Sequence, residues 1–281
     1  MMYRFVLQKS VRVTGVTRGY HISRVSSDRV WISDGNNLIL TNTAGDRLHH
    51  LTGIPSGLFS YGVHTVNNDG DLIYIDSDYN INNLSKDDRI KTTLIKYKAP
   101  WRPQSVYSSL STGDLLVGMY YYTIDTFTGK VVRYNSTGDH IKTIQHHHNT
   151  GHGLYSDPGY ITENHNGDVI VSDINRVVVT DRRGRHRFSY RGPPSGSGLE
   201  PRGICTDELS HILVCDYNTD SVQMIDSDVY FLSHILTPRH GIDKLLGLSY
   251  DVRSHLLWVG SQNSDTINIY RVVDEDSLSG K

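Results

Sequence analysis

Gly167-Asp-Val-Ile-Val-Ser-Asp173 and His211-Ile-Leu-Val-Cys-Asp216 decide the fold: in each, a short apolar run closes on an Asp and a polar turn. Four further segments share the pattern: Arg29 to Asp34, Asp71 to Asp76, Asp114 to Met119 and His255 to Gly260. Their last residues stand at 34, 76, 119, 173, 216 and 260, giving steps of 42, 43, 54, 43 and 44. A mean step of about 45 residues is the period of a four-stranded propeller blade.

Working outward from the fifth run, four strands are predicted in that repeat: Gly203–Thr206, Ile212–Cys215, Ser221–Ile225 and Val229–Ile235. Clusters of Asp, Ser and Asn separate them, the residues that favour turns. The fourth repeat follows the same plan, with strands at Tyr160–Thr162, Val169–Val171, Arg176–Thr180 and His186–Tyr190. The second strand of each repeat is almost continuously apolar, as expected where both faces are covered. Helical periodicity is nowhere sustained. The sixth repeat supplies only three strands, at Gly247–Tyr250, Leu256–Val259 and Thr266–Val273, whereas Arg4–Val13 precedes the first full repeat as a lone strand. Pairing that strand with the last blade removes an open edge. The prediction is an all-β, six-bladed β-propeller of four-stranded antiparallel blades over residues 1–273, with a polar tail at 274–281. The long step of 54 marks an enlarged third repeat, whose extra residues include Tyr120 to Tyr122 and a protruding loop at Gln145–Tyr155.

Composition narrows the classes. With 28 basic and 30 acidic residues among 281, the chain has no overall bias towards nucleic acid or acidic membranes. Its two cysteines lie in one repeat, where a hairpin near Glu208 sets Cys205 opposite a residue around 212 rather than Cys215. Free thiols and a reducing compartment are expected. The first ten residues lack the apolar core of a signal peptide, and no run of apolar residues is long enough to span a membrane. A cytoplasmic location is expected, and the sequons at Asn83 and Asn135 read as chance matches.

The fifth repeat, Pro201-Arg-Gly-Ile-Cys-Thr-Asp207 followed by His211 to Asp226, resembles the NHL repeat. It carries a small-Gly-hydrophobic opening, an Asp after the second strand, an Asn two residues on, and the Val222-Gln223 pair. The family's usual His and basic residue before Val-Gln are replaced by Thr219, Asp220 and Ser221, so its functional residues do not transfer. The Asp-Tyr-Asn-Thr-Asp unit is most similar to the C-terminal propellers of tripartite-motif proteins. The resemblance implies a non-catalytic module that recognises a protein partner, either the recognition propeller of a tripartite-motif-type ubiquitin ligase or a stand-alone relative, since two cysteines cannot build the family's RING and B-box zinc modules. The alternatives are an RNA-binding NHL propeller and a calcium-dependent hydrolase of the lactonase type.

In a propeller the loops joining outer to inner strands (d–a) and second to third strands (b–c) share one face. Trp101, Arg102, Tyr121, Arg202, Arg239 and His240 fall in such segments and form the predicted partner-binding set. Trp, Tyr and Arg are the side chains most enriched at binding hot spots. The basic run Asp181 to Arg187 lies at a c–d turn on the other face and reads as a solvated hairpin. His146, His147, His148 and His152 lack a local carboxylate or cysteine partner and read as a polar loop. The channel is expected to be lined by His21, Ser23, His64, Tyr107, Thr162, Thr206 and Ser249, with Glu163, Asp207 and Asp251 at the strand ends. No set of oxygen ligands or nucleophile–base pair is apparent there, and the Ser-Gly-Ser-Gly at 195–198 lacks the strand–turn–helix setting of a nucleophile elbow. No cofactor, metal or small-molecule substrate is expected.

Overall fold

Two hydrogen-bonding habits of Asn, Asp and Gly build the frame. On one face, Asn42, Asn67, Asn135, Asn164 and Asp181 each open a five-residue turn. In each the side-chain oxygen accepts the N–H groups two and four residues on, at 2.8–3.1 Å. The fourth residue of these turns is Gly, with φ between 76° and 89°, a conformation costly for any residue with a Cβ. On the other face, Asp34, Asp173 and Asp216 end their strands and accept backbone N–H groups from the d–a segments, from Thr17, Ser156 and Glu200. The repeated Asp of the sequence is thus the tie between the d–a segment and the b–c turn of the same blade.

The computed structural model describes residues 3–55, 61–87, 89–124, 126–194, 196 and 198–274. Its strands, in chain order, are β1 Tyr3–Arg12, then β2 His21–Arg24, β3 Arg29–Asp34, β4 Asn37–Asn42 and β5 Arg47–Thr52 in blade I. Blade II holds β6 His64–Val66, β7 Leu72–Ile75, β8 Ile81–Leu84 and β9 Lys91–Ile95. Blade III holds β10 Arg102–Ser108, β11 Leu115–Tyr122, β12 Phe127–Tyr134 and β13 His140–Ile144. Blade IV holds β14 Tyr160–Glu163, β15 Val169–Asp173, β16 Arg176–Thr180 and β17 His186–Tyr190. Blade V holds β18 Pro201–Thr206, β19 Ile212–Asp216, β20 Ser221–Ile225 and β21 Phe231–Leu236. Blade VI holds β22 Leu245–Asp251, β23 Leu256–Ser261 and β24 Thr266–Asp274, with β1 added at its outer edge. The predicted six-bladed propeller is the observed architecture, with six four-stranded antiparallel sheets.

The ring closes as expected. β1 pairs antiparallel with β24 from Tyr3↔Asp274 to Arg12↔Thr266, with one irregularity between Leu7 and Lys9. Val11 and Val13 enter the core shared with blade I, and Phe5 enters the core shared with blade V. The second strands β7, β15 and β19 are buried along their whole length, which explains their continuous apolar runs. Each fully buried Val, Ile or Leu contributes about 1.5–3 kcal/mol.

Glycine at the inner strands has a packing reason. A Cβ on Gly203 would stand 2.7 Å from the backbone nitrogen of Leu248 and closer still to the Leu246 carbonyl, where β18 runs against β22. Backbone cannot yield as a side-chain end can. Gly203→Ala is therefore expected to destabilise the fold by about 1–3 kcal/mol, read as a lowered urea midpoint. An unchanged midpoint would show that the inner strands can move apart.

Two loop expectations need correction. Tyr120 to Tyr122 are strand rather than turn, because β11 and β12 stay paired out to Tyr122↔Phe127. Gln145–Tyr155 does not simply protrude: bridges His146↔Gly153 and Gly129↔Tyr155 fold it back, burying Leu154 and Tyr155. Both cysteines are free and buried, with Cys205 opposite Leu213. Ser195, Ser197 and residues 275–281, which include most of the expected tail, lie outside the described residues. Among the described residues no helix is long and apolar enough to cross a membrane.

Candidate functional site

The face carrying the d–a and b–c loops opens into a cavity of about 330 Å³ at the channel mouth. Its walls include Tyr61, Phe127, Asp157, Tyr160, Glu200 and Arg202. The mouth is aimed by two bulges in inner strands. In β10 the register passes from Pro103↔Met119 to Ser105↔Gly118, leaving Gln104 as the extra residue. In β18 it passes from Pro201↔Asp216 to Ile204↔Val214, so Arg202 and Gly203 together oppose Cys215. A bulge re-aims the side chain it carries.

Asp157 is the centre of this arrangement. Tyr61 donates its hydroxyl to one carboxylate oxygen at 2.7 Å, and Gln104 donates its amide to the other at 2.6 Å. The Asp157 backbone N–H is held in turn by Asp173, which also binds Arg176. Burial raises the Asp157 carboxyl above its ordinary range, and Asp173 adds to the rise, against the opposing pull of Tyr61, Gln104 and Arg202. Burial also raises the Tyr61 phenol, so it stays a hydrogen-bond donor at neutral pH. Arg202 is 9 % exposed, pairs with Glu200 and lies over the Tyr217 ring at 5.3 Å. A carboxylate has about four lone-pair positions, so Asp157 keeps accepting capacity beyond its two protein donors. An acid–base carboxyl, a phenol and a guanidinium thus meet in one partly dehydrated pocket.

Below the mouth, a column of rings separates it from the lower channel. Tyr160 lies 6.2 Å from Tyr61 and 5.5 Å from His21, and His21 lies 4.7 Å from His64. The Tyr160 hydroxyl donates to the Tyr20 carbonyl. Among the described residues, neither buried ring nitrogen of His64 has a hydrogen-bond partner. Burial lowers His21 to about 4 and His64 well below its ordinary value. The sign follows: the unfolded chain, with His near 6.5, binds more protons than the folded one, so stability is complete above about 6.5 and is lost as pH falls. The loss should approach about 1.4 kcal/mol per pH unit for His21 between roughly pH 6.5 and 4, and His64 adds to it in the same direction. Asp157 acts in the opposite sense, because its raised carboxyl favours the protonated fold. Urea titrations at acid and neutral pH check this, and His64→Asn should flatten the slope.

The predicted binding set is divided. Trp101 and Tyr121 do meet, with ring centroids 5.9 Å apart, and Lys130 sits over Trp101. Arg102 lies over Tyr79. Arg202 is elsewhere, buried in the mouth, while Arg239 and His240 sit on an exposed 3₁₀ turn before β22. Residue pattern alone missed Tyr61, Gln104, Asp157 and Tyr160. Only the d–a position of Asp157, just before an inner strand, was a usable signal.

The remaining clusters are committed to structure. Arg185 binds Asp181, and Arg187 bridges Asp168 and Asp228, so the basic run is a tied turn. His147 stacks on His148 with planes 9° apart and lies near His186, so the stacked rings do not aim their nitrogens at one point. Glu163 binds Arg133, Asp207 binds His211, and Asp251 lies beside Arg24 and accepts from Ser254.

The fold defines the class: a six-bladed β-propeller, here with a partly buried carboxyl, a phenol and a guanidinium at one mouth of its channel. A gluconolactonase from Xanthomonas campestris is similar over 92% of this chain and 87% of its own, with 15% identity and a TM-score of 0.69. A streptogramin B lyase is similar over 97% and 98% respectively, at 14% identity and a TM-score of 0.60. A catalytically inactive virginiamycin B lyase from Staphylococcus aureus with quinupristin is similar over 97% and 100%, at 16% identity and a TM-score of 0.60. No protein-family model matches the chain. No curated protein matches it. At such identity the likeness is one of fold. It nonetheless corrects two expectations, because these neighbours are enzymes: the reading as a non-catalytic recognition propeller of the NHL, tripartite-motif type does not stand, and neither does the expectation of no enzyme. The RNA-binding alternative also lacks support, since Asp157, Asp173 and Glu200 line the mouth beside Arg202.

The calcium site expected of a lactonase-type hydrolase does not fit these residues. Asp157 accepts from Tyr61 and Gln104, Asp173 from backbone and Arg176, and Glu200 from Arg202. Among the described residues no group of three or more His, Cys, Asp or Glu side chains is placed to hold a metal ion.

Proposed function

We propose that this chain is an enzyme that opens a lactone or other cyclic ester by acid–base catalysis at the channel mouth. The observation that carries the reading is Asp157, held between Tyr61 and Gln104 with its carboxyl raised by burial, in the same pocket as Arg202. The resemblance of the fold to a gluconolactonase and to lyases of streptogramin type supports it.

The residues suggest the following division of labour. Arg202 holds the ester carbonyl oxygen, where negative charge grows as water attacks the carbonyl carbon. The Asp157 carboxylate takes a proton from that water as the new C–O bond forms. The tetrahedral adduct collapses, the ring C–O bond breaks, and the leaving alkoxide takes the proton back from Asp157. Tyr61 and Gln104 fix the carboxylate throughout. Acid release from glucono-δ-lactone and from an open-chain ester of similar size tests the reading. Acceleration of the cyclic substrate over its spontaneous hydrolysis is expected; rates equal to buffer alone for both would reject it.

A further inference from the structure

The opposite end of the channel holds a second cavity, of about 390 Å³, at the a–b turns. This lies within the range of ligand pockets, roughly 300–1,000 Å³. Every blade contributes a hydroxyl to its wall: Ser23, Thr65, Tyr107, Thr162, Thr206 and Ser249. Apolar groups alternate with them along the same strands, among them Ile22, Ile161 and Leu248. The ring column of His21 and Tyr160 separates this cavity from the mouth, since His21 lines one and Tyr160 the other.

The wall carries little uncompensated charge. Glu163 is bound by Arg133 at 2.8 Å and accepts from Ser109, and Arg24 lies 3.4 Å from Asp251. Burial keeps His21 neutral at neutral pH. A charged ligand would lose hydration here with no opposite charge to meet it. Ser23 and Thr206 donate their hydroxyls to the His64 and Glu163 carbonyls, and Thr65 accepts the Ser108 N–H, so these oxygens keep lone pairs that a ligand hydroxyl could fill and an apolar ligand could not. A molecule with hydroxyl edges and C–H faces satisfies both sets of neighbours.

We propose that the a–b end of the channel is a second binding site, which takes a small uncharged polyhydroxylated ligand of monosaccharide size. Among the described residues it shares none with the mouth, and it stands whether or not the mouth opens esters.

Saturation-transfer NMR and calorimetry on the full chain test it, with glucose and myo-inositol as neutral probes. Gluconate and glucosamine, of similar size but charged, are the comparison. Methyl glucoside distinguishes a free sugar from a glycosidic end. The neutral probes are expected to bind at least about tenfold more tightly than the charged ones, a difference of about 1.4 kcal/mol. Ser249, half-buried on β22, is a mild site to alter. Ser249→Ala should weaken binding by about 2- to 12-fold, the effect of one hydrogen bond, and Ser249→Trp should abolish it. Asp157→Asn should leave it unchanged. Thermal melting confirms that each variant is folded, and the comparison of neutral with charged probes needs no variant. Absence of binding by both neutral probes, equal binding of the charged ones, or indifference to Ser249→Ala and Ser249→Trp would each overturn the proposal.

Discussion

Deleting residues 1–12 is expected to abolish cooperative folding rather than merely lower the melting temperature. β1 is the outer strand of blade VI and supplies nine register pairs to β24. Its loss would expose the whole β24 edge, a template for pairing with other chains. It would also remove Phe5 and Val11 from two cores, where they are 7 % and 3 % exposed. Two such side chains contribute about 1.5–3 kcal/mol each, and each ladder hydrogen bond about 0.5–1.5 kcal/mol. The total is comparable with the entire stability of a domain, about 5–15 kcal/mol. Size-exclusion chromatography should find aggregate, and calorimetry no sharp transition. A truncated chain that stays monomeric and melts within a few degrees of the intact one would mean that β1 is not the closure.

Asp157→Asn is expected to lower kcat for cyclic-ester opening by about 10²- to 10⁴-fold, the usual contribution of a general acid–base group. The amide keeps an oxygen for the Tyr61 hydroxyl and has nearly the volume of the acid, so the fold should persist. It cannot take or return a proton. KM should move little, because Arg202 still holds the carbonyl oxygen. In the unaltered chain the acidic limb of kcat/KM should lie above the ordinary carboxylate range, since burial raises the Asp157 carboxyl. A base with a raised carboxyl loses its active form as pH falls through that raised value, and the limb should vanish in Asp157→Asn. Activity retained in the variant, or an unmoved limb, would remove Asp157 from the chemistry.

The two results bear on different levels of the molecule. Closure by β1 follows from counting strands: three in the last repeat, one left over at the start, and an edge that must be paired. The turns follow similarly, because Asn-x-x-Gly-Asp places a short acceptor side chain two and four residues before N–H groups that need one. The strands of blades IV and V differ from their predicted limits by no more than two residues at either end. The partner-binding set on the d–a/b–c face was legible as a list of residues, whereas its spatial grouping was not: Trp101 meets Tyr121, Arg102 lies over Tyr79, and Arg202 turns inward to the mouth.

Period, strand order, turn chemistry and ring closure were all written in the order of residues, because each depends on contacts within a repeat or on an unpaired strand edge. The pocket was not. Tyr61, Gln104, Asp157 and Arg202 come from four blades or their connections, and only the closed ring brings them together. Gln104 and Arg202 also sit at bulges, where the two-residue alternation that assigns side chains to faces breaks down. The protonation of Asp157 depends on its burial among groups distant in sequence, a quantity that exists only once the blades have packed.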